Sequence, residues 1–573
     1  MLVDGCHIDN CYSRSVARFL LNERNMNPLG ENFPITLENA RDDAEDKTVG
    51  PGGIPSGPDT MSRDHISAAL ASARTSDECI ALAELADRLS SPDLRRASLE
   101  RAVALDRNNQ AALLMLAAES LEENEPASTY ALIEEAARLA PLPEVIKPLH
   151  AQLAAQVEWD GRLSDYFRAI GRVTAEPPER KLSIVLLTNL FPPQELGGYG
   201  RMMWEFAQGL IARGHTVRVL TSDVTQFGKT PTTDEREMEA NVFRSLQLLG
   251  TWVGGRPEAL TDRSEVGRRV RDNASRLRTA VAKLKPDLIL VGNLDFFGTA
   301  ILRTGLDHNV PVLHALANAA PGYRVSEQPT EPHYWVAPCS DWNGDVFRQE
   351  GFTPNRIETL YPGARIDRFF RLFLPDTRRL RICYASLVLP YKGVDTLVAA
   401  LVRLHAAGVD FSAEIAGDTP DQVFFQQQQE IIRAHGMESK VRFTGFLDRN
   451  DLAALFGRSN VLVFPSRFQE PFGISQVEAL AAGLVVVSSG TGGAKEIIRN
   501  ETDGLLFTAG DEADLTDKLT MLANDPELMA RLQRQGQARA AAFSVENSVL
   551  KIEALADELQ AVVAAEMEPA EPV

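Results

Sequence analysis

The sequence predicts two successive α/β domains, each built on a doubly wound parallel sheet, preceded by an all-α domain of helical repeats. Three observations support this fold class: a helix-rich segment with a 34-residue period, and two later series of short apolar runs that alternate with amphipathic helices. We expect a disordered leader and linker over residues 1–60, the helical domain over 61–178, and the α/β domains over 179–375 and 376–545. A C-terminal helix and tail are expected over 546–573.

Composition and charge limit the class of protein. The chain has 573 residues, of which 44% are hydrophobic and 24% charged, as in ordinary globular proteins. Its formal net charge of −20 argues against nucleic-acid binding, which depends on cations placed against phosphates. Residues 1–180 contain 18 basic and 30 acidic side chains, residues 181–375 contain 23 and 21, and residues 376–573 contain 18 and 28. We therefore expect the middle third to repel an anion least.

The cysteines indicate a reducing compartment. Cys6, Cys11, Cys79, Cys339 and Cys383 are few and scattered, so neither a disulfide framework nor a zinc site is predicted. No apolar run approaches the ~18 residues that span a bilayer, and the amino terminus has no secretory apolar core. We expect a cytoplasmic protein whose membrane contact is at most peripheral.

The helical segment repeats every 34 residues. The stretch ERAVALDRNN at 100–109 aligns with EEAARLAPLP at 134–143, and a further 34 residues lead to FRAIGRVTAE at 168–177. Paired helices of this period, with alanine at the helix contact, resemble the tetratricopeptide repeat, although the large aromatic residue expected in the first helix is absent. Such repeats stack into a concave surface that binds a protein segment, which implies a protein partner. The alternative is an alanine-rich bundle without a repeat function.

The first α/β domain opens with a strand, a glycine loop, a helix and a second strand. The run LSIVLLT at 182–188 is short, β-branched and apolar, as expected for a buried parallel strand. Gly197, Gly198 and Gly200 lie between this strand and the helix, where glycine lets the backbone approach a ligand closely. The loop lacks the pattern G-x-G-x-x-G, which counts against a dinucleotide-dependent oxidoreductase.

Two further features of this domain are candidates for function. His314, in VPVLHALANAAPGY, is expected at the end of a strand that faces the cleft between the α/β domains, and the alternative is a hydrogen-bonded loop residue. Asp295 and Asn318 are weaker candidates of the same kind. Residues 262–285 form a basic amphipathic helix, a pattern typical either of contact with an anionic membrane or of the solvated face of a domain helix.

The second α/β domain contains the most informative stretch, VLVFPSRFQEPFGISQVEALAAGLVVVSSGTGGAKEII, at 461–498. A strand ends before Glu470, and Gly473 precedes a helix that carries Glu478. Free N–H groups and the positive end of the helix dipole can hold a phosphate there. The two carboxylates can flank a bound molecule and accept hydrogen bonds from its hydroxyls, whereas the alternative is a helix start with two solvated glutamates.

A cation is expected beside this anion site. In SLVLPYKGVDTL at 386–397, Lys392 follows a strand and opens a helix. A lysine ammonium and a helix N-terminus then converge at the carboxyl edge of the sheet, where open parallel sheets bind their ligands.

These motifs resemble the family-4 retaining glycosyltransferases, whose GT-B fold has two Rossmann-like domains. The resemblance rests on the E-x7-E pattern of Glu470 and Glu478 and on TGGAKEII and NETDGLLF downstream. It implies that Glu470 contacts the hydroxyls of the donor sugar and Glu478 the ribose of the nucleotide. Gly473 and Ile474 would offer N–H groups to the diphosphate, and Phe472 belongs to the same donor-binding stretch.

The resemblance also assigns roles to the other candidates. Lys392 would neutralise the diphosphate leaving group, and His314 would lie under the donor sugar. The glycine loop would close over the phosphates and shape the acceptor site. The family usually has an arginine five or six residues before the lysine, where this chain has Leu387 and Ser386, and Arg467 is a candidate replacement.

The implied activity is transfer of a sugar from a nucleotide-diphosphate sugar to a hydroxyl, with no cofactor and no metal. The acceptor would be a sugar, a lipid-linked molecule or a protein, in polysaccharide or glycoconjugate biosynthesis. The main alternative is a non-catalytic scaffold that binds nucleotide sugars or proteins through a degenerate GT-B core. A sugar phosphorylase or an epimerase of the same fold is a third, more remote possibility.

Overall fold

The computed structural model describes residues 62–123, 125–156, 178–196, 198–253 and 256–567. The expected leader, the third repeat segment at 168–177, Gly197 and the end of the C-terminal tail lie outside the described residues.

The chain divides into two compact units. Among the described residues, the helical unit contains those from 62 to 156 together with 371–381 and 448–460, and the α/β unit contains the remainder. The helical unit therefore includes segments of the two regions that the sequence assigns to the α/β domains.

Paired helices form the first part of the helical unit. They are α1 (Arg63–Ser72), α2 (Ser76–Arg88), α3 (Pro92–Leu105), α4 (Gln110–Glu122), α5 (Pro126–Leu139) and α6 (Lys147–Gln156). Helices α2 and α4 begin 34 residues apart, as do α3 and α5. Both α3 and α5 begin with proline, whose missing N–H would have no partner in the first turn of a helix. The N-terminal helical region is thus present, while its membership of the tetratricopeptide family stays a prediction.

A buried arginine joins these helices to the other two segments of the unit. Arg107 lies in the turn between α3 and α4 and is 1% exposed. Its guanidinium donates to the carbonyl of Phe373 at 2.9 Å and to that of Phe456 at 3.2 Å. Phe373 belongs to the segment 371–381, and Phe456 to the helix Arg449–Arg458. Burial lowers the pKa of Arg107 to about 9, because the charge is removed from water.

Neighbouring contacts hold the same segments. Arg101 is ion-paired with Asp376, and both side chains are buried. Asn108 Nδ2 donates to the carbonyl of Ala454 at 3.1 Å. A Cβ at Gly457 would lie 1.7 Å from that same nitrogen, so a larger residue there would displace the Asn108 side chain from this hydrogen bond. The helical unit is therefore built from three separate stretches of chain.

The first half of the α/β unit contains a six-stranded sheet. Its strands are β1 (Ser183–Leu187), β2 (Thr216–Ser222), β3 (Val242–Leu246), β6 (Leu288–Val291), β7 (Val312–Leu316) and β8 (Tyr334–Pro338), and a separate hairpin consists of β4 (Gly250–Val253) and β5 (Arg256–Ala259). Its helices are α7 (Tyr199–Ala212), α8 (Thr233–Met238), α9 (Arg263–Leu284), α10 (Ala300–Leu306), α11 (Asp341–Gln349) and α12 (Ile366–Phe369). The strands are parallel in the order β3-β2-β1-β6-β7-β8.

The second half repeats this topology. Its strands are β9 (Leu380–Ala385), β10 (Phe411–Ala416), β11 (Val441–Gly445), β12 (Val461–Phe464), β13 (Val485–Ser488) and β14 (Leu505–Leu506). The helices in this part of the chain are α13 (Val394–Ala406), α14 (Gln422–Ala434), α15 (Arg449–Arg458), α16 (Ile474–Ala481), α17 (Glu512–Asn524), α18 (Pro526–Ala540) and α19 (Val545–Met567). The strand order β11-β10-β9-β12-β13-β14 matches that of the first sheet position by position. The chain thus has N-terminal helices followed in sequence by two doubly wound parallel sheets, which confirms the predicted fold class.

The last helix returns to the first sheet. Val549, Ile552 and Leu555 of α19 are fully buried in one apolar cluster with β1 and α7. Because its inner side is apolar, α19 covers one face of the first sheet, although it follows the second sheet in the chain.

No helix among the described residues is long and apolar enough to cross a membrane. Nor do those residues contain a group of three or more His, Cys, Asp and Glu side chains that could hold a metal ion.

Candidate active site

The strand orders define where ligands bind. In each sheet the order reverses between two central strands, β1 and β6 in the first and β9 and β12 in the second. Such a switch point opens a crevice at the carboxyl ends of the strands. The loop after β9 carries Lys392 and the loop after β12 carries Glu470, so both predicted residues reach the crevice of the second sheet.

Lys392 and Glu470 are in direct contact. The Lys392 Nζ lies 2.6 Å from Oε1 of Glu470, and the hydroxyl of Ser466 donates to the same oxygen at 2.6 Å. The Glu470 residue is 7% exposed, and the Lys392 side chain is 16% exposed. The rings of Tyr391 and Phe468 lie 5.7 and 5.4 Å from the ammonium. The mostly buried carboxylate of Glu470 is thereby held by a cation and a hydroxyl. The ammonium of Lys392 keeps part of its surface exposed to solvent.

The start of α16 has backbone N–H groups that no side chain of the described residues caps. Gly473 precedes the helix with φ +104°, a conformation that glycine favours, and a Cβ there would lie 2.8 Å from Nε2 of Gln476. The N–H of Gln476 donates to the Gly473 carbonyl at 3.1 Å, whereas no acceptor of the described residues takes the N–H groups of Gly473, Ile474 and Ser475. The helix dipole makes this end positive. The half-buried Ile474 occupies the first position.

Two other residues of the predicted donor stretch lie in the interior. Glu478 is 1% exposed and Phe472 is 4% exposed. The ring of Phe472 packs against Tyr361 and Phe543, with centroids 5.6 Å apart in both cases. The side chain of Phe472 thus supports the loop from below the surface, and the predicted nucleotide contact of Glu478 stays a prediction.

A Gly-Gly turn holds the backbone of Glu470. The N–H of Gly493 donates to the Glu470 carbonyl at 2.7 Å. Gly492 has φ +60°, and a Cβ there would lie 2.4 Å from the same oxygen. A Cβ at Gly493 would lie 2.2 Å from the Pro471 carbonyl. Both positions of the turn in TGGAKEII therefore require glycine, because a larger residue would collide with the backbone of the loop that carries Glu470.

Residues after β8 also contact this loop. The hydroxyl of Ser340 donates to the Pro471 carbonyl at 2.7 Å. Glu496 accepts hydrogen bonds from the N–H groups of Asp341 and Trp342, at 3.0 and 2.8 Å, at the start of α11. Sequence reasoning missed Ser340 and Glu496. The one available signal was the position of Ser340 as a helix cap, which says nothing of its partner in the second half.

The glycine loop leads from β1 into α7. Gly200 lies in the first turn of α7, where a Cβ would come 3.2 Å from the Leu190 carbonyl. A Cβ at Gly198 would meet nothing within 4 Å. Tyr199 is buried and donates to the carbonyl of Ala315. The described part of the loop is thus anchored to the first sheet, with Gly198 as the open position.

His314 is fully buried, with 0% exposure, at the centre of β7 rather than at its end. Its Nδ1 lies 2.9 Å from the Tyr334 hydroxyl, which is 2.7 Å from that of Tyr323. Burial lowers the pKa of His314 to about 3, so the imidazole is neutral at physiological pH. His314 therefore contacts this tyrosine pair. Among the described residues it has no hydrogen bond to Glu470 or Lys392, so its role as a site residue stays a prediction.

The weaker candidates Asp295 and Asn318 lie together. Each follows the carboxyl end of a strand, β6 and β7, and Nδ2 of Asn318 is 3.3 Å from Oδ2 of Asp295. Burial raises the pKa of the Asp295 carboxyl. This polar pair lies at the carboxyl edge of the first sheet, after strands β6 and β7.

The arginine that the family usually has before the lysine is replaced by apolar surface. Leu387 is 39% exposed. Arg467, the candidate replacement, donates to both oxygens of Asp395 at 2.8 and 2.9 Å. Part of its charge is therefore neutralised, and Lys392 is left as the principal cation beside Glu470.

The fold and this crevice define a GT-B glycosyltransferase. The family described as "Glycosyltransferase Family 4" matches residues 196–368, and that described as "Glycosyl transferases group 1" matches residues 366–539. The two matches follow each other across both sheets. The chain belongs to the family-4 retaining glycosyltransferases and is a nucleotide-sugar-dependent transferase.

Two curated relatives are enzymes that transfer sugars. The chain is 25% identical to "Glycogen synthase" of Mycobacterium tuberculosis (strain CDC 1551 / Oshkosh) over 378 residues, which cover 62% of this chain and 90% of the relative. It is 29% identical to "2-deoxystreptamine glucosyltransferase" of Streptomyces kanamyceticus over 197 residues, which cover 34% and 49%.

Solved structures agree on the fold. A glycosyltransferase from Rickettsia africae ESF-5 superposes with a TM-score of 0.54 and 18% identity, over 66% of this chain and 99% of that one. The Anabaena protein HepE, in complex with UDP and glucose, superposes with a TM-score of 0.50 and 18% identity, over 66% and 100%. In both cases the matched 66% of this chain is about the length of the α/β part that contains the two sheets.

Proposed function

We propose that this chain is a catalytically active transferase that moves a sugar from a nucleoside-diphosphate donor to a hydroxyl of an acceptor, in polysaccharide or glycoconjugate biosynthesis. The observation that carries the proposal is the contact of Lys392 with Glu470 beside the open N-terminus of α16. A cation, uncapped N–H groups and a carboxylate meet there at a sheet switch point, which is the set of groups that a sugar diphosphate needs.

In this proposal the diphosphate binds at Lys392 and at the N–H groups of Gly473 and Ile474. The bond between the anomeric carbon and the phosphate oxygen breaks while the acceptor oxygen bonds to the same face of that carbon. The acceptor proton passes to the departing phosphate oxygen. Lys392 and the helix N-terminus stabilise the developing negative charge, and Glu470 orients the sugar through its hydroxyls.

The remaining predicted residues support these groups. Glu478 would accept a hydrogen bond from the ribose, Phe472 would hold the loop, and Gly198 and Gly200 would border the acceptor side. His314 would act as a neutral side chain, since its lowered pKa leaves it unprotonated. We place the protein in the cytoplasm, with a protein partner on the helical unit and with membrane contact at most peripheral.

The test is release of nucleoside diphosphate from UDP-, GDP- and ADP-glucose, with a panel of sugar acceptors. Lys392→Ala and Glu470→Ala should each lower turnover of the accepted donor by roughly 100- to 1,000-fold, as expected when a transition-state contact is removed. Lys518→Ala is a matched control, because it removes a lysine that lies 3.9 Å from Asp514 on α17, outside the crevice. Equal turnover in all three variants would contradict these roles.

A scaffold without catalysis is the second candidate, favoured by Leu387 and by the ion pair of Arg467 with Asp395. Calorimetric titration with UDP, GDP and ADP, taken together with the turnover assay, separates the two. Nucleotide binding without turnover of any donor sugar would support the scaffold, and Arg467→Ala should then leave the measured affinity unchanged.

A further inference from the structure

The loops after β1, β6 and β7 bring four polar residues to the carboxyl edge of the first sheet. They are Asn189, Asn293, Asp295 and Asn318. The strand order reverses between β1 and β6, so these loops border the switch point, where an open parallel sheet binds its ligand. The groups proposed to hold the sugar diphosphate belong to the second sheet, which leaves this crevice for the acceptor.

Among the residues that the structure describes, no cation lies within 4 Å of the Asp295 carboxylate. Its hydrogen bonds come from amides: Nδ2 of Asn318 lies 3.3 Å from Oδ2, and the side chain of Asn293 is the second donor. Burial raises the pKa of this carboxyl, and the hydrogen bond from Asn293 offsets only part of that effect. The residue is half-buried, so a ligand in the crevice can reach it. A partly buried carboxylate without an ion pair is typical of a functional position.

The backbone around Asp295 is held in a strained conformation. Its N–H donates to Oδ1 of Asn293 at 2.8 Å, and its carbonyl accepts a hydrogen bond from Nδ2 of Asn189 at 3.4 Å. The next residue, Phe296, has φ +65°, in the left-handed region that phenylalanine rarely adopts. Gly322, after β7, approaches so closely that a Cβ there would lie 2.9 Å from the Asp295 nitrogen. Strain that is enforced by its surroundings is concentrated at ligand-binding positions, which favours a functional role for this loop.

The loops that border the crevice are acidic. At 188–196, 292–299 and 317–333 they contain four carboxylates against one arginine and no lysine. Glu195 is paired with Arg201 at 3.0 Å, whereas the arginine of these loops, Arg324, forms no ion pair with Asp295. An anionic group that entered beside Asp295 would therefore meet a negative charge that no cation of the described chain offsets within 4 Å.

We propose that Asp295 selects the acceptor of the transfer, favouring a neutral or cationic polyol over an anionic one. The carboxylate accepts hydrogen bonds from hydroxyl or ammonium groups, and the amide of Asn318 beside it can both donate and accept. A phosphate or carboxylate on the acceptor is repelled, because like charges brought together at a binding site disfavour the wrong partner strongly. The inference rests on the proposed function, since it concerns the acceptor of that reaction.

The test is transfer by the full chain to three sugars, each offered in three states of charge. Glucose, galactose and mannose are supplied as the free sugar, the 2-amino sugar and the 6-phosphate, with the nucleotide sugar that the chain turns over fastest. The parent chain should have a kcat/KM at least roughly tenfold higher for the free and amino sugars than for the 6-phosphates. In Asp295→Asn, which keeps the shape of the side chain, this ratio should fall to about twofold or less, because the repelling charge is gone.

Asp307→Asn is the matched control. It removes the same charge from an exposed residue between α10 and β7, at the opposite edge of the sheet, and should keep the ratio of the parent chain. Release of nucleoside diphosphate without an acceptor reports separately on the proposed function. If the parent chain shows neither this release nor transfer, the proposed function fails, and the role of Asp295 with it.

The role of Asp295 alone is overturned by other results in a chain that turns over its donor. One is use of the 6-phosphates as readily as the free sugars, or use of none of these acceptors. Another is an unchanged ratio in Asp295→Asn. The last is an equal loss of kcat/KM for every acceptor in that variant, because a purely structural role would lower all of them together.

Discussion

Replacing Arg107 with alanine should loosen the two segments that this side chain holds inside the helical unit. Its guanidinium donates to the carbonyls of Phe373, Phe456 and Gly457 at 2.9, 3.2 and 3.5 Å, and it is almost fully buried. Alanine would remove these three hydrogen bonds, at about 1–3 kcal/mol each. The carbonyl of Phe373 would lose this donor, whereas those of Phe456 and Gly457 would keep the backbone N–H groups of Ser459 and residue 107, at 3.3 and 3.4 Å.

The lower end of that range applies. Burial lowers the pKa of Arg107 to about 9, which shows that holding the charge has a cost that alanine removes. About 1 kcal/mol for each of the three lost hydrogen bonds gives a loss of about 3 kcal/mol. The equilibrium constant for local opening of the two segments would then increase roughly 100-fold, because 1.4 kcal/mol corresponds to a factor of ten.

Hydrogen exchange read by mass spectrometry measures this opening directly. Peptides from 371–381 and 449–458 should exchange roughly 100-fold faster in Arg107→Ala than in the parent chain. Arg88→Ala removes an exposed arginine from α2 and should change the exchange of those peptides by no more than about twofold. If the two variants protected these segments equally, the proposed anchoring by Arg107 would be refuted.

Two further predictions concern the α/β unit. Gly393→Ala should destabilise this unit by about 1–3 kcal/mol more than Gly408→Ala, measured by urea unfolding, because both glycines have φ +74° but only at Gly393 would the Cβ lie 1.9 Å from the Pro465 carbonyl. Equal losses of stability in the two variants would show that the positive φ angle alone, without the Pro465 contact, makes glycine necessary. The buried His314 should make stability depend on pH: its folded pKa of about 3 lies below the unfolded value of 6.5, so its contribution is complete above pH 6.5 and decreases as the pH falls toward 3. At pH 4.5 the decrease is about 2–3 kcal/mol, and acid unfolding of His314→Gln should lack this component of the slope.

The sequence placed Lys392 and Glu470 at the carboxyl edge of one sheet, because each belongs to a short strand-loop-helix stretch with a readable local pattern. Glu470 and Gly473 belong to one strand-loop-helix stretch, and Lys392 belongs to another. Both stretches follow the central strands of a doubly wound sheet, whose carboxyl edge is a known place for ligands. Local pattern and topology together were therefore enough to bring Lys392 and Glu470 to one crevice.

Contacts between distant segments were not predictable in this way. Ser340 and Glu496 contact partners more than 100 residues away, and no local pattern connects them. His314 illustrates a different failure: its strand was predicted, but the Tyr334 and Tyr323 hydroxyls that enclose it come from later segments. Burial and hydrogen bonding at such positions depend on which elements pack on the sheet.

By itself, the sequence determined the strand-loop-helix units, the two sheets and the loops that carry Lys392 and Glu470, because hydrophobic period, glycines and charged residues act over a few turns of chain. Only the tertiary structure decided which segments belong to the helical unit. The segments 371–381 and 448–460 pack with helices that lie more than 200 residues earlier, through Arg107 and its neighbours. A buried arginine among backbone carbonyls has no sequence pattern, because any carbonyl can accept its hydrogen bonds and only the packing selects which ones do.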